Sequence, residues 1–294
     1  MDFGKIITAM VTPFDLNGEI DYPATKNLIN HLIANGSDAI VVAGTTGESP
    51  TLSFEEKLAL IRYTVEAVDG RIKVIAGTGS NNTRESIILT KKVEALEVDG
   101  IMLVTPYYNK PSQAGMYEHF KAIAEITHLP IMLYNIPGRS VVNMEVDTVV
   151  ALSKIKNIVS IKEASGNLNA MAEIIERTPE SFTLYSGDDG LTLPVLAIGG
   201  AGVVSVASHV IGNQMQEMFS NFETGQVKEA AKIHRQLLPF MEALFFTPSP
   251  TSLKEVLNTM DIPVGSVRLP LVPLNKEEKQ VLKKYIQFLI KKAS

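Results

Sequence analysis

The chain has 294 residues, 45% of them hydrophobic and 20% charged, with a formal net charge of −5, the composition of an ordinary soluble globular protein built as one large α/β barrel or two domains. The acidic balance leaves no general basic field for phosphates, so nucleic-acid binding is not expected, and with no Cys there are no disulfides, thiolate zinc sites or cysteine nucleophiles. The five histidines (His31, His119, His128, His209, His234) are far apart and fall in no ligand spacing, so no metal is expected. No apolar run reaches the roughly 18 residues of a membrane span. Residues 1–7 lack a basic region followed by an apolar core, and the expected compartment is the cytoplasm.

Short apolar runs alternate with amphipathic stretches of helical length. Residues 5–11 are predicted as a strand and 22–35 as a helix that Gly36 can close. Residues 39–43 form the next strand, and the capping-box spacing of Ser53 and Glu56 opens a helix that runs to Asp69-Gly70. Strands at 73–76, 101–104 and 131–134 then alternate with helices at 82–97, 113–126 and 145–153. The sixth strand is 158–162, followed by a helix near 169–177, a strand at 182–185, a short helix around 191–198, a strand at 203–206 and a helix from about 212 to 222.

Near-continuous apolar strands separated by helices require a parallel sheet covered on both faces. Eight such units before Gly225 suit a closed (β/α)8 TIM barrel, with an open doubly wound sheet as the alternative. The expected division is a catalytic barrel over residues 1–225 and a helical appendix over 226–294, with helices at 226–244, 253–259 and 276–292 and proline-rich connections between them. Glycines 199, 200 and 202 precede the eighth strand, on the face of a barrel that serves stability, and tight-turn service is expected of them.

Chemistry in such barrels sits at the carboxyl ends of the strands. Strand two exits into Gly44-Thr45-Thr46-Gly47-Glu48, a candidate anion nest with two hydroxyls. Strand four exits into Thr105-Pro106-Tyr107-Tyr108-Asn109 and strand five into Tyr134-Asn135-Ile136-Pro137-Gly138-Arg139. Strand seven exits into Ser186-Gly187-Asp188-Asp189, where turn or cap service is favoured over a metal or acid–base pair, because adjacent side chains point differently.

The sixth strand ends on Lys162. Alternation groups Ile158, Ser160 and Lys162 on one face and Val159, Ile161 and Glu163 on the other. A lone lysine at a strand end is ordinarily solvated, but an amine desolvated at a barrel rim has a lowered pKa and a lone pair free to attack a carbonyl. Its company here is phenols (Tyr108, Tyr134), hydroxyls (Thr45, Thr46) and a carboxylate clamp (Arg139). That set suits Schiff-base chemistry on a small keto acid, with a phenol shuttling protons.

At these residues the sequence resembles the pyruvate-dependent class I aldolase family, and within it the branch that condenses pyruvate with aspartate semialdehyde. The resemblance spans essentially the whole chain and rests on Gly44 to Glu48, Thr105 to Asn109, Tyr134-Asn135 with Pro137 and Arg139, Ile161-Lys162-Glu163-Ala164, and Ser186 to Asp189, in family order and spacing. It implies a pyruvate imine on Lys162 with no other cofactor, and Tyr134 as acid/base in a relay with Thr45 and Tyr108. It further implies that Thr46 and the Val204 backbone contact pyruvate, that Gly187 lines the site, and that Arg139 holds the aldehyde's carboxylate. In the family the residue at Tyr108 reaches into a neighbouring subunit's site, which implies a homodimer or homotetramer.

One departure concerns regulation. Ser49, Asn81, Glu85 and Tyr107 match the family's effector cleft, but lysine-inhibited members generally carry histidines where this chain has Phe54 and Lys57. A cation at position 57 is poorly suited to a cationic effector, so weak or absent lysine feedback is expected. The alternatives are a sister aldolase acting on sialic acid or a sugar keto acid, and a non-catalytic keto-acid-binding barrel. Arg139 and the Thr45-Thr46 pair favour the condensing branch over the first.

Overall fold

The computed structural model describes residues 3–293, with side chains described through residue 285. Among these residues, strands β1 (Ile6–Ala9), β2 (Ala39–Val42), β3 (Lys73–Gly77), β4 (Gly100–Val104), β5 (Ile131–Asn135), β6 (Ile158–Glu163), β7 (Thr183–Ser186) and β8 (Gly202–Ser205) pair in parallel and in chain order. β8 closes on β1, with Ile6 opposite Val203 and Ile7 opposite Val204. The architecture is therefore the closed barrel, not the open sheet.

The helices around it are α1 (Tyr22–Ala34), α2 (Phe54–Val68), α3 (Thr83–Glu94), α4 (Gln113–Ala124), α5 (Pro137–Ser140), α6 (Val146–Leu152), α7 (Leu168–Arg177), α8 (Thr192–Ala197) and α9 (Ser208–Glu223). Then come α10 (Val227–Ala243), α11 (Thr251–Thr259) and α12 (Lys276–Ala293). Most starts follow local chemistry. Asp21, Asn82, Ser112 and Asn167 each accept an N–H of the following first turn, and Ser53 and Glu56 form the reciprocal capping box at 3.1 and 2.7 Å.

Two helices differ from expectation. α5 is a single turn with proline in its first position, too short to leave a periodic signal. α9 begins at Ser208, four residues before the expected start, because its first turn is separated from the rest by the non-helical Ile211.

Apolar side chains form two layers. Ile7, Val41, Ile75, Met102, Met132, Tyr134, Tyr185 and Val204 fill one cluster inside the barrel, while a larger cluster lies between strands and helices. Of the three glycines expected in a tight turn, Gly199 has the left-handed backbone of one (φ +100°), whereas Gly202 opens β8 and serves close packing: a Cβ on it would lie 2.2 Å from the Lys5 carbonyl oxygen. α10 packs along α9, and α12 lies against α10 and α11.

The β5–β6 register corrects the predicted alternation. Ile131 stands opposite Ile158 but Met132 opposite Ser160, so one residue is skipped at Val159. Ile158 consequently joins Ile161 in the outer layer, and Val159 packs with the inner cluster. Beyond the skip the register is regular, pairing Tyr134 with Lys162 and Asn135 with Glu163.

Candidate active site

Partners in a parallel ladder project to the same side of the sheet, so the Tyr134–Lys162 pairing sets an amine beside a phenol. The Lys162 Nζ lies 4.1 Å from the centre of the Tyr134 ring. Both side chains are buried, Lys162 at 5% exposure. Burial pushes the Lys162 amine down to about 7; the Asp189 carboxylate opposes the fall and the Arg139 guanidinium adds to it. Burial likewise pushes the Tyr134 phenol up to about 12, against the pull of Arg139 and of a hydrogen bond from Thr45, and with a further push from Glu163. At neutral pH the site therefore holds a partly neutral amine next to a fully protonated phenol. The protonation states suit the first to nucleophilic attack and the second to proton donation.

Glu163, the next residue, turns outward. Its carboxylate accepts the Asn135 amide at 2.9 Å and the Ser165 N–H at 2.7 Å, and Asn135 in turn accepts the Met144 N–H at 3.0 Å. This outer network ties the exits of β5 and β6 together behind the reactive pair.

Thr45, Tyr134 and Arg139 line one cleft of about 730 Å³ with Met102, Val104 and Ile136, and its outer part is walled by Ser49, Phe54, Lys57, Glu85 and Tyr107. Arg139 is exposed on α5, free to meet a carboxylate entering from solvent. Thr46 is buried beside Thr45, and Val204 belongs to the inner cluster that includes Tyr134. Gly187 abuts the lysine itself: a Cβ there would lie 2.7 Å from the Ala164 Cβ and 3.1 Å from the Lys162 Cε. In the outer part, burial lowers the Lys57 ammonium while Glu85 opposes the shift.

Tyr108 is not brought to this cleft. Its backbone is left-handed (φ +73°) and the residue is 88% exposed, whereas the neighbouring Tyr107 lines the cleft.

The aspartate pair divides its labour. Asp188 caps the following turn by accepting the Gly190 N–H at 2.9 Å, as expected. Asp189 is buried and its Oδ2 accepts the N–H groups of Val206 and Ala207 at 3.1 and 2.9 Å. Burial raises its pKa, and it is the anion that acts on Lys162. Sequence reasoning missed this role, because adjacent aspartates in a turn look alike until packing buries one of them.

The sequence profile of the dihydrodipicolinate synthetase family matches residues 2–289. The chain is 65% identical over 282 residues to 4-hydroxy-tetrahydrodipicolinate synthase 1 of Halalkalibacterium halodurans, with 96% of each chain covered. Its fold matches the crystal structure of a dihydrodipicolinate synthase from Bacillus anthracis with a TM-score of 0.97 at 61% identity, covering 98% of both chains. It also matches the Cyanidioschyzon merolae relative, solved with lysine bound, with a TM-score of 0.96 at 49% identity over 97% of this chain and 98% of that one.

Proposed function

Because the chain belongs to the dihydrodipicolinate synthetase family, we propose that Lys162 is the lysine that carries pyruvate and Tyr134 the acid/base that attends it. The activity is that of a lyase of the 4-hydroxy-tetrahydrodipicolinate synthase type. It joins pyruvate to L-aspartate 4-semialdehyde, giving 4-hydroxy-tetrahydrodipicolinate, the first committed step of lysine and diaminopimelate biosynthesis. The electron sink is a covalent imine of pyruvate on a lysine, and no external cofactor takes part.

Neutral Lys162 adds to the ketone carbon, and Tyr134 protonates the departing oxygen so that water leaves and a protonated imine remains. The imine draws electrons from the methyl carbon, which loses a proton and becomes an enamine. The enamine carbon attacks the aldehyde, forming the new C–C bond and an alkoxide that takes up a proton. The amino group of the second substrate then attacks the imine carbon, closes the ring and frees Lys162. A phenol is suited to both directions of proton transfer when a second hydroxyl is hydrogen-bonded to it, the part given to Thr45.

Thr46 and the Val204 backbone contact pyruvate, Gly187 lines the site beside the imine, and exposed Arg139 takes the second substrate's carboxylate. Tyr108, facing outward, completes the relay of a neighbouring copy, in a homodimer or a homotetramer made of two such dimers. The outer cleft is not a lysine effector site here, since Lys57 already stands opposite Glu85. No helix among the described residues is long and apolar enough to cross a membrane, in keeping with a cytoplasmic enzyme.

One observation carries the assignment: a buried amine, lowered to about 7, 4.1 Å from a buried phenol ring. Borohydride reduction in the presence of pyruvate should leave an adduct on the Lys162 peptide, seen by mass spectrometry. An unmodified Lys162 peptide would sink the assignment, and with it the distinction from a non-catalytic keto-acid-binding barrel.

A further inference from the structure

The loop that supplies Thr45 and Thr46 ends on Glu48, and Glu48 is gripped from the far end of the chain. Its backbone is left-handed (φ +55°), a conformation that non-glycine residues keep only when their surroundings hold it. The hold comes from α11 and the segment after it. Lys254 Nζ lies 2.7 Å from Glu48 Oε1, with the two side chains only 2% and 1% exposed. The other carboxylate oxygen, Oε2, accepts the Arg268 backbone N–H at 2.9 Å.

The same segment grips two further elements of the barrel mouth. Lys254 Nζ and the Arg268 guanidinium lie 4.2 and 4.3 Å from the centre of the Phe14 ring, beyond β1. Lys254 also donates to the Ser266 carbonyl at 2.7 Å. Arg268 donates to the carbonyls of Gly18 and Thr51 at 2.7 and 2.9 Å and pairs with Glu56 of the α2 capping box. One buried carboxylate, two cations and one ring thus connect the C-terminal segment with the exits of β1 and β2.

The geometry passes from Glu48 to the reacting groups in one turn. Glu48 N–H donates to the Thr45 carbonyl at 3.1 Å, Ser49 N–H to the Gly44 carbonyl at 3.2 Å, and the Thr12 hydroxyl to the Gly47 carbonyl at 2.6 Å. Thr45 in turn lines the cleft with Tyr134, whose phenol it acts on. A buried carboxylate deprived of its cation is driven toward water, and a shift of Glu48 pulls on the turn that carries Thr45. An apolar contact would also hold the segment down, but it would not fix the loop at a hydrogen-bonding distance.

We propose that the Glu48–Lys254 pair is a clamp through which the C-terminal segment positions Thr45 against Tyr134, making Glu48 and Lys254 positioning residues of the condensation. This rests on the roles assigned above to Lys162, Tyr134 and Thr45. It also makes residues 254–268 part of the active-site framework, despite their place in the helical appendix.

The test uses the full-length enzyme and the Lys254→Met/Glu48→Gln double variant, which lacks both charges and keeps an acceptor for the Arg268 N–H. Replacing both members of a buried pair by neutral groups is tolerated far better than removing one. The double variant should fold, lose tenfold or more in kcat, and show faster hydrogen exchange confined to residues 44–49. In a Thr45→Val background the same two substitutions should lower kcat by less than threefold, because the group they position is already gone. The clamp is overturned if the double variant keeps wild-type kcat and loop protection, if its loss multiplies with that of Thr45→Val, or if it does not fold, since the pair then specifies the fold and not the loop. Failure of wild-type enzyme to trap pyruvate would instead count against Lys162, while the exchange measurement still judges the clamp.

Discussion

Lys162 and Tyr134 are register partners on adjacent strands, and the lysine nitrogen lies 4.1 Å from the centre of the tyrosine ring. The skipped residue at Val159 sets the phase of β6 before the lysine is reached. The pairing determines how the site responds to pH and to substitution.

The rate of pyruvate trapping by borohydride should rise with pH through about 7 and level off above it, since the attacking form is the neutral amine and burial places its titration there. Asp189→Asn removes the charge that opposes this lowering, so its profile should move to lower pH. A midpoint near the ordinary lysine value, or one unmoved in Asp189→Asn, would contradict this account.

Tyr134→Phe should leave the imine able to form slowly while lowering kcat by about 10²–10⁴-fold, the usual range for a lost general acid–base group. Steady-state turnover measured beside single-turnover trapping separates the two steps. Near-normal turnover in the variant would remove Tyr134 from the relay.

Gly187→Ala places a methyl 2.7 Å from the Ala164 Cβ and 3.1 Å from the Lys162 Cε. Overpacking of this kind costs about 1–3 kcal/mol: the Ala164 Cβ is fixed to its backbone, while the flexible lysine is pushed aside. Imine formation should therefore fall by tenfold or more, together with a drop in Tm from the Ala164 contact. A variant with unchanged trapping would show that Lys162 has room to spare.

Arg139→Ala should raise the KM for aspartate semialdehyde by about 10–100-fold, corresponding to the roughly 1.5–3 kcal/mol of a charged hydrogen bond, while pyruvate trapping stays within a few-fold of wild type. Equal loss for both substrates would count against the second-carboxylate role and reopen the sister-aldolase reading. The same steady-state assay run with lysine should show no inhibition at micromolar concentration, because Lys57 and Glu85 share the outer cleft; micromolar inhibition would refute it.

Acid sensitivity should come from His209. Its Nδ1 meets the Val206 carbonyl at 2.8 Å and its Nε2 accepts the Val11 N–H at 3.2 Å, so the buried ring is neutral and joins the exits of β1 and β8. Burial pushes it down to about 4 from 6.5. The unfolded chain then binds the extra proton between those values, and the stabilisation, on the order of 3 kcal/mol, is complete above about pH 6.5 and lost as pH falls toward 4. Thermal melts across that range should show a falling Tm, with a shallower slope in His209→Gln; a flat wild-type Tm between pH 7 and 5 would rule out this contribution.

The sequence by itself determined the alternation of strands and helices, the Ser53–Glu56 cap, and the chemical inventory of the strand exits, Lys162, Tyr134, Thr45 and Arg139 among them. Those features are local: a period of 2 or 3.6, a cap within one turn, a polar residue after an apolar run. Tertiary structure alone decided that the sheet closes, that the skip at Val159 turns Ile158 outward, and that α5 forms beneath Arg139. It also decided that Asp189 is buried while Asp188 caps a turn, that Tyr108 is exposed and does not line its own cleft, and that Lys254 neutralises Glu48 across most of the chain's length. Closure, burial and pairing between distant segments depend on how packed layers fit together, and a linear pattern of residue types carries no record of that fit.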